Sequence, residues 1–239
     1  PSIIPAPVVT YTDGDTTGSF SFTPVMNGFG THTITVTIED GGFDNDIGTP
    51  DDNATYVETL TVVIAPENDL PTVDAVGTQT IDEDVPFSII VTGIGPGPLE
   101  TQSVRVLATS SNTGILQTPV VNYTSGDSTA TINLLSAPDA DGTVTVTLTV
   151  EDTGLDGNFA TDTDNGKTVR IFTVNVNKVN DQPKLDVILD RVVTEDDPEQ
   201  SIPLTGIAAG GSEAQSLRVS ATSSDTAIIP TPIIDYIDG

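Results

Sequence analysis

The sequence repeats itself at an interval of 112 or 113 residues, and this periodicity constrains the fold more than any other feature. The three copies of Tyr11, at positions 11, 123 and 236, mark the period. The matching segments are 6–15 with 118–127 and 231–239, 33–40 with 145–152, 67–71 with 179–183, and 102–113 with 215–226. A one-residue insertion near Pro198 accounts for the longer second spacing. Whole segments match, so the chain is predicted to be a tandem array of one structural unit.

Apolar residues within one repeat follow the period of β-strands. From Thr143 to Val150, Thr alternates with Val or Leu, which places Val144, Val146, Leu148 and Val150 on one inward face. Clusters of Gly, Pro, Asp, Asn and Ser separate such segments, and no helical period competes with them. The predicted strands of the middle repeat are A 75–81, B 87–93, C 102–109, D 115–123, E 128–134, F 142–151 and G 167–177. We therefore predict an all-β chain of tandem seven-strand sandwiches of immunoglobulin type.

Strand G has an irregular apolar pattern. Val169 and Ile171 lie on one face of a regular strand, whereas Phe172, Val174 and Val176 lie on the other. A β-bulge would turn both sets toward the core, so the pattern predicts a bulge in this strand.

Two short Asn-Asp-x-Pro segments mark the boundaries between repeats, because proline favours an extended, stiff connection. The linkers are 68–71 and 180–183. The predicted units are 1–67, the C-terminal half of a sandwich with strands D to G; 72–179, a complete sandwich; and 184–239, an N-terminal half with strands A to D. We expect each half to be completed by an adjoining segment of the same longer polypeptide or by a neighbouring copy in a fibre.

Acidic residues dominate the charge of the chain. The sequence has 35 Asp and Glu against 7 Lys and Arg, which gives a net charge of −28. Such a charge argues against binding to nucleic acid or to anionic membranes. No apolar segment approaches the roughly 20 residues that cross a bilayer. The absence of Cys excludes disulfides, thiolate metal sites and Cys nucleophiles. Ca²⁺ is the first partner to consider, because hard cations prefer oxygen ligands.

The order of the strands predicts which acids meet. In an alternating sandwich the B–C, D–E and F–G turns share the pole at which the chain comes in, here called the proximal pole. The A–B, C–D and E–F turns share the opposite, distal pole. The predicted Ca²⁺ ligands are Glu67, Asn68, Asp69, Glu100, Glu151, Asp152 and Asp156 around the first linker; Asp82, Glu83, Asp84, Asp139, Asp141, Asn180 and Asp181 around the second; and the equivalents Glu39, Asp40, Asp44, Glu195 and Asp196. The alternative is solvated surface charge that keeps the chain soluble.

The linkers and the ends of strand F carry a resemblance to a known class. The NDLP and NDQP linkers, the Glu-Asp-x-Gly sequence after strand F and the IDEDVP and VTEDDP turns resemble bacterial cadherin-like and Ig-like tandem repeats with VNDAP-type junctions. The resemblance covers essentially the whole chain and implies a place in a long extracellular surface protein. The leading Asp of the cadherin linker motif is absent, because position 66 is Pro and position 178 is Lys. One expected Ca²⁺ ligand is therefore missing from each linker.

The sequence is to be compared with three classes of function. The first is a non-enzymatic, calcium-stiffened segment of an extracellular fibre, stalk or adhesin at the cell surface, with a role in cell adhesion or filament formation. The second is a module that binds a carbohydrate or protein ligand, which would require an atypical repeat with clustered exposed aromatic residues. The third, an enzyme, lacks a nucleophile–base pair: there is no Cys, and the only histidine, His32, aligns with the inward Val144 and is expected to be packed. The sequence favours the first class.

Overall fold

The computed structural model describes residues 3–161, 163–211 and 213–237, and every regular element in them is a β-strand. The strands of these residues are β1 (Val8–Thr10), β2 (Ser19–Ser21), β3 (Gly30–Glu39), β4 (Thr55–Ile64), β5 (Gln79–Asp82), β6 (Phe87–Val91), β7 (Val104–Ser110), β8 (Val120–Asn122), β9 (Ala130–Leu134), β10 (Gly142–Asp152) and β11 (Lys167–Asn177). Within these ranges, no helix has the length and apolar character needed to cross a membrane.

Strands β5 to β11 build a complete sandwich. One sheet has the order β5-β11-β10-β7, and the facing sheet has the order β6-β9-β8. All neighbouring strands are antiparallel except β5, which runs parallel to β11. Each of the seven strands overlaps one of the predicted strands A to G. The predicted all-β, immunoglobulin-type sandwich is confirmed.

The core of this sandwich lies between its two sheets. Strand β10 contributes the four residues predicted to face inward, and none of them is more than 3% exposed. Strand β9 faces them from the other sheet. The fully or nearly fully buried residues of these two strands are Val144, Val146, Leu148 and Val150 of β10 and Ala130, Ile132 and Leu134 of β9. Each larger apolar side chain buried in this way stabilises the fold by roughly 1.5–3 kcal/mol.

The predicted bulge in strand G is wrong. Strand β11 pairs with β10 in one continuous register, from Gly142 opposite Val176 to Glu151 opposite Lys167. Val169 and Ile171 consequently lie on the outer face and are exposed, whereas the alternate residues of β11 enter the core. The unbroken ladder keeps every backbone pair satisfied, and isolated apolar residues on a surface are ordinary.

Strands β1 to β4 reproduce β8 to β11 at an offset of 112 residues, and the hairpin of β3 and β4 has the same register as that of β10 and β11. Here, however, the four strands form two separate two-stranded sheets. The inner face is only partly covered as a result, with Ile34 of β3 8% exposed. Ile38 of β3 is 65% exposed, whereas its equivalent Val150 is 0% exposed.

The last part of the chain has the turns of the repeat without its strands. Residues 184–211 and 213–237 contain no strand, and their one ladder contact is an isolated bridge between Lys184 and Ala208, which repeats the bridge between Thr72 and Gly95. In the complete sandwich, strand A pairs with G and strand C with F, so this segment contains no partners for its ladders. The half-sandwich over 184–239 stays a prediction, and residues 1, 2, 212, 238 and 239 of the two predicted halves lie outside the described residues.

Equivalent positions in two repeats test this difference in packing. Leu116 is 0% exposed, whereas Ile229, one repeat later, is 57% exposed. We expect Leu116→Ala to lower the free energy of unfolding by about 2–5 kcal/mol, because it opens a cavity in the core. We expect Ile229→Ala to change it by less than about 0.5 kcal/mol in a dilute sample. Urea unfolding of both variants measures the difference, and equal losses would contradict it.

Candidate metal-binding junctions

Loops from both poles of the complete sandwich meet the two linkers, as the strand order predicts. At the proximal pole, the backbone N–H of Asp69 in the first linker donates to Oε1 of Glu100 in the B–C loop at 2.9 Å. At the distal pole, Asp84 of the A–B turn and Asp139 of the E–F turn gather with Asp181 of the second linker. Residues far apart in sequence thus meet at each junction.

The three aspartates at the distal pole, here called the acid triad, form a compact group. Asp84, Asp139 and Asp181 each offer a carboxylate oxygen within 4.8 Å of the oxygens of the other two. Asp139 and Asp181 are half-buried, and Asp84 is exposed. Unit charges at this separation repel by about 1 kcal/mol per pair in water and by about 3.5 kcal/mol at an effective dielectric constant near 20. A bound cation would remove this repulsion and replace it with attraction.

Left-handed backbone positions two members of the acid triad. The φ angle is +60° at Asp84 and +53° at Asp139, a region that Asp enters more readily than most residues. The backbone N–H of Asp84 donates to Oγ of the buried Ser136 at 2.7 Å, which ties the A–B turn to the strand end before the E–F turn. The two turns are therefore fixed to each other before any ion is considered.

The third member, Asp181, presents an oxygen that has no hydrogen-bond partner in the described part of the chain. Its Oδ2 is buried and accepts no hydrogen bond among the described residues. Gly211 packs directly against this carboxylate, and a β-carbon there would collide with Oδ2. An anionic oxygen that is removed from water without a donor is costly, and coordination of a cation would offset that cost.

The same contacts fasten each linker to the B–C loop that follows it. Gln102 Nε2 donates to Oδ1 of Asn68 at 2.6 Å, and Gln215 Nε2 donates to Oδ1 of Asn180 at 2.6 Å. The backbone N–H of the linker aspartate donates to a glutamate in both copies: Asp69 to Glu100 at 2.9 Å and Asp181 to Glu213 at 3.2 Å. We call this set of contacts the linker clamp.

Three members of the linker clamp were missed by the sequence analysis, namely Gln102, Glu213 and Gln215. The signal was available, because the repeat that aligns 102–113 with 215–226 also places Glu213 opposite the predicted ligand Glu100. The glutamine of each clamp is neutral, and its amide donates to the asparagine of the linker.

The first junction has a related arrangement with a different set of acids. Asn27 occupies the position of Asp139, with φ at +59°, and lines a cavity of about 370 Å³ together with Glu67, Asp69 and Glu100. Oε2 of Glu100 is buried and has no hydrogen-bond partner within the ranges that the structure describes. The amide of Asn27 removes one negative charge relative to Asp139, whereas Glu67 adds one where the second junction has Val179.

Asp152 is an internal acceptor of hydrogen bonds. It is 0% exposed, and its Oδ1 accepts the backbone N–H groups of Gly154 and Gly166 at 2.8 Å each. The amide nitrogen of Asn68 lies 3.3 Å from Oδ1 and 3.5 Å from Oδ2. Asp152 therefore closes the F–G loop and ties it to the first linker.

The F–G loops of both repeats use the remaining loop acids in the same way. Asp156 accepts the N–H of Asn158 at 2.8 Å and the hydroxyl of Thr161. Asp44, its equivalent, accepts the N–H of Asp46 at 3.0 Å and the hydroxyl of Thr49 at 2.6 Å. These carboxylates are used in the folding of their own loops.

Hydrogen bonds to the charged form lower the pKa of several of these acids. The hydroxyl of Thr49, with the N–H of Asp46, holds the pKa of Asp44 below its ordinary value. The N–H groups of Ala54 and Gly42 do the same for the pKa of Asp40. The N–H of Thr194 lowers the pKa of Asp197. Each therefore stays ionised at lower pH than a free aspartate.

Glu151 is neutralised by side chains of its own sandwich. It is 2% exposed, and its carboxylate lies 2.8 Å from Nη2 of Arg105 and 3.6 Å from Nζ of Lys167. The guanidinium of Arg105 also stands over the ring of Phe159, 4.6 Å from its centre. Since two cations already face Glu151, we leave it out of the metal-binding set. Its equivalent Glu39 is exposed and accepts from Nδ2 of Asn53 at 3.1 Å.

The structure does not gather the other predicted ligands into an acidic group. Glu83 is 3% exposed and accepts the N–H of Val179 at 2.7 Å, and Asp82 accepts the amide of Asn177 at 3.1 Å. Asp141, Glu195 and Asp196 are exposed and lie outside the acid triad.

Comparisons with known proteins give distant structural likenesses. No family model matches the chain, and no curated protein matches it. A crystal structure of domains 4 and 5 of the S-layer protein SbsC is similar at 21% identity and a TM-score of 0.32, over 66% of this chain and 62% of that one. A structure of SbsC domains 4–9 is similar at 18% identity and a TM-score of 0.33, over 85% of this chain and 29% of that one. A crystal structure of titin domains Z1Z2 in complex with telethonin is similar at 13% identity and a TM-score of 0.28, over 73% of this chain and 74% of that one.

This chain spans less than two thirds of each of these two SbsC structures. At these TM-scores the likenesses carry no argument about function.

The two F–G loops provide a matched test of Asp152. We expect Asp152→Ala to lower the free energy of unfolding by about 1–3 kcal/mol, because two buried N–H groups lose their acceptor. Asp40→Ala removes the same loop contacts at an exposed position, so its effect should be clearly smaller. Urea unfolding measures stability, and amide exchange at Gly154 and Gly166 reports the loop. A loss for Asp40→Ala as large as that for Asp152→Ala would contradict the role of burial.

Proposed function

We propose that this chain is a non-enzymatic structural segment of a repetitive cell-surface protein, and that Ca²⁺ stiffens the junctions between its repeats. The proposal includes the division into units at residues 68–71 and 180–183. The single observation that carries it is the acid triad, in which two turns of one repeat and the linker to the next bring three carboxylates together.

The chemistry of the acid triad suits Ca²⁺. Ca²⁺ takes roughly six to eight oxygen ligands in flexible geometry, from carboxylates, amide and backbone carbonyls and water. Asp84, Asp139 and Asp181 would supply three carboxylates, and Oδ2 of Asp181 has no competing donor among the described residues. The narrow octahedral geometry of Mg²⁺ is harder to meet with three side chains on separate loops.

Stiffening follows from where the three ligands are attached. Asp84 and Asp139 belong to turns that are fixed to the sandwich through Ser136. Asp181 belongs to the linker, which the linker clamp holds to the following B–C loop through Glu213. An ion shared by the three would therefore join the distal pole of one repeat to the start of the next. Each further repeat would add a roughly constant length to a stiff array.

The remaining acids are not proposed as Ca²⁺ ligands, because other groups of the protein already bind them. Asp152 and the loop aspartates are used in internal hydrogen bonds, and Glu151 is paired with cations. We therefore restrict the proposed ligands of the second junction to the acid triad, and those of the first to Glu67, Asp69 and Glu100 around the cavity that Asn27 lines.

Removal of Ca²⁺ tests the proposal directly. We expect chelation to lower the melting temperature and to broaden the distribution of overall lengths seen by small-angle scattering. A ligand at 100 times its Kd stabilises the folded state by about 2.7 kcal/mol per site. Unchanged melting and unchanged scattering after chelation would overturn the calcium assignment.

Single substitutions locate the site. We expect Asp181→Asn to weaken Ca²⁺ binding by about tenfold or more, because a divalent site loses one charged ligand and 1.4 kcal/mol corresponds to tenfold. Asp190→Asn is the matched control, since the same change removes an exposed charge outside the acid triad. Isothermal titration of both variants measures the difference. Equal affinities in the two would contradict the assignment of Asp181.

The first junction permits a gain-of-function test. Asn27→Asp would recreate the charge that Asp139 provides at the second junction, with a backbone that already has the left-handed conformation. We expect this variant to bind Ca²⁺ more tightly at the first junction than the unaltered chain does. Asp51→Asn, in the exposed F–G loop, serves as a charge control. An unaltered affinity in Asn27→Asp would remove the first junction from the proposal.

A further inference from the structure

The outer face of the larger sheet in the middle sandwich is uncharged along most of its length. Strand β10 turns alternate residues into the core, so Thr143, Thr145, Thr147 and Thr149 lie on the outer side. Between the rows of Thr149 and Thr143, every described outward residue of β7, β10 and β11 is Thr, Val, Leu, Ile or Asn. We call this surface the threonine face. Because like charges repel, two copies with a charge of −28 each approach most easily through such a surface.

Three aliphatic side chains are exposed on the threonine face. Leu107 is 48% exposed, Val169 is 47% exposed and Ile171 is 65% exposed. The ladders place Leu107 and Val169 on either side of Thr149, and Ile171 beside Thr147. The three therefore lie in two neighbouring rows of one sheet, where their removal from water on association would be favourable.

Charges of opposite sign lie at the two ends of the threonine face. At the proximal end, Arg105 and Lys167 flank Glu151, and their side chains are 42% and 46% exposed, whereas that of Glu151 is 3% exposed. This row has a net charge of +1, and its cations are the groups that reach solvent. At the distal end, Asp82 of β5 is exposed and accepts the amide of Asn177 at 3.1 Å. The face is therefore positive at one end and negative at the other.

We infer that the threonine faces of two copies of this chain pack against each other, with their strands running in opposite directions. A two-fold axis through the middle of the face brings the row of Arg105 and Lys167 in each copy to Asp82 of the other. The parallel orientation would instead place cations against cations and Asp82 against Asp82. Complementary charge thus selects the antiparallel pairing. The contact is isologous, so it closes as a pair and does not continue from copy to copy.

The size of the threonine face determines how strong the contact is. The part of β10 from Thr143 to Val150 is about 27 Å long, and three strands are about 14 Å wide. One face therefore covers roughly 380 Å² on each copy, compared with about 800 Å² per partner in a standard interface. A single pair of repeats should associate weakly, and several repeats along two neighbouring arrays should associate more tightly through multivalency. The hairpin of β3 and β4 has a similar outer side, where Val57 and Val63 are 51% and 72% exposed among threonines.

The outer face of the smaller sheet provides a comparison within the same sandwich. Its strands β6, β9 and β8 contain five, five and three residues, whereas β7, β10 and β11 contain seven, eleven and eleven. Ile90 of β6 is 73% exposed, slightly more than Ile171. The smaller sheet thus has an exposed isoleucine without the long surface of the threonine face, which makes Ile90 a matched control.

Sedimentation equilibrium of the full 239-residue chain, in excess chelator and at physiological salt, tests the inference separately from the proposed function, because no contact uses the acid triad. We expect a monomer–dimer equilibrium that shifts toward dimer with concentration. Ile171→Glu should weaken the dimer by about tenfold or more, because it places an unpaired charge in the contact. Ile90→Glu should leave the dimer unchanged. Both positions are exposed in the single chain, so neither variant should lose its fold. A chain that is monomeric at every concentration, or equal weakening by the two variants, would overturn the inference.

Spin labels test the antiparallel orientation with a second measurement. The chain has no cysteine, so Leu107→Cys and Thr143→Cys each introduce a single labelling site. The two sites lie in rows about 20 Å apart along the strands. In the antiparallel pair, the label at 107 of one copy lies near the label at 143 of the other. Electron–electron double resonance of the mixed chains should therefore give a shorter distance than either labelled chain alone.

Two results of these measurements would contradict the inference. Shorter distances between identical sites than between the mixed sites would overturn the antiparallel orientation. A chain that stays monomeric and binds a neutral polysaccharide, with loss of that binding in Ile171→Glu, would assign the threonine face to a different occupant and overturn the pairing of copies.

Discussion

The antiparallel ladder between strands F and G is the interaction on which the rest of each repeat depends. In the middle sandwich it runs without interruption over ten residue pairs, from Gly142 opposite Val176 to Glu151 opposite Lys167. The hairpin turns every second residue of β10 into the core and carries the F–G loop at the proximal pole. The same ladder forms in the first repeat between β3 and β4, even though its inner face is only partly covered. The hairpin is thus a local structure, and closure of the sandwich is a separate, long-range event.

Much of the fold follows from the period of the sequence, and the exceptions have physical causes. The alternation from Thr143 to Val150 predicts which side chains of β10 are buried, and strand order predicts that Asp84, Asp139 and Asp181 share one pole. The bulge in strand G was wrong because the apolar Val169 and Ile171 were assumed to need burial, whereas an unbroken ladder outweighs two exposed side chains. A pattern of apolar residues contains no information about the backbone hydrogen bonds that a bulge would break.

The sequence predicts where the candidate site lies, but it does not predict which acidic residues belong to it. Counting acids could not distinguish Glu151, which faces Arg105 and Lys167, from Asp181, whose Oδ2 has no donor among the described residues. That distinction depends on the partners that the fold brings to each carboxylate. The left-handed backbone at Asp84 and Asp139 is likewise a property of the folded turns, and these are the two turn acids that meet Asp181.

The parallel pairing of β5 with β11 has a mechanical consequence. A pull along the array would act on the first linker, just before β5, and on the second linker, just after β11. Because the two strands run in the same direction, this pull would slide them past each other along their length. The contacts from Gln79 opposite Val174 to Asp82 opposite Asn177 would then bear the load together, in shear, rather than opening one after another as in a zipper. We expect this short ladder to set the force at which a repeat yields under tension.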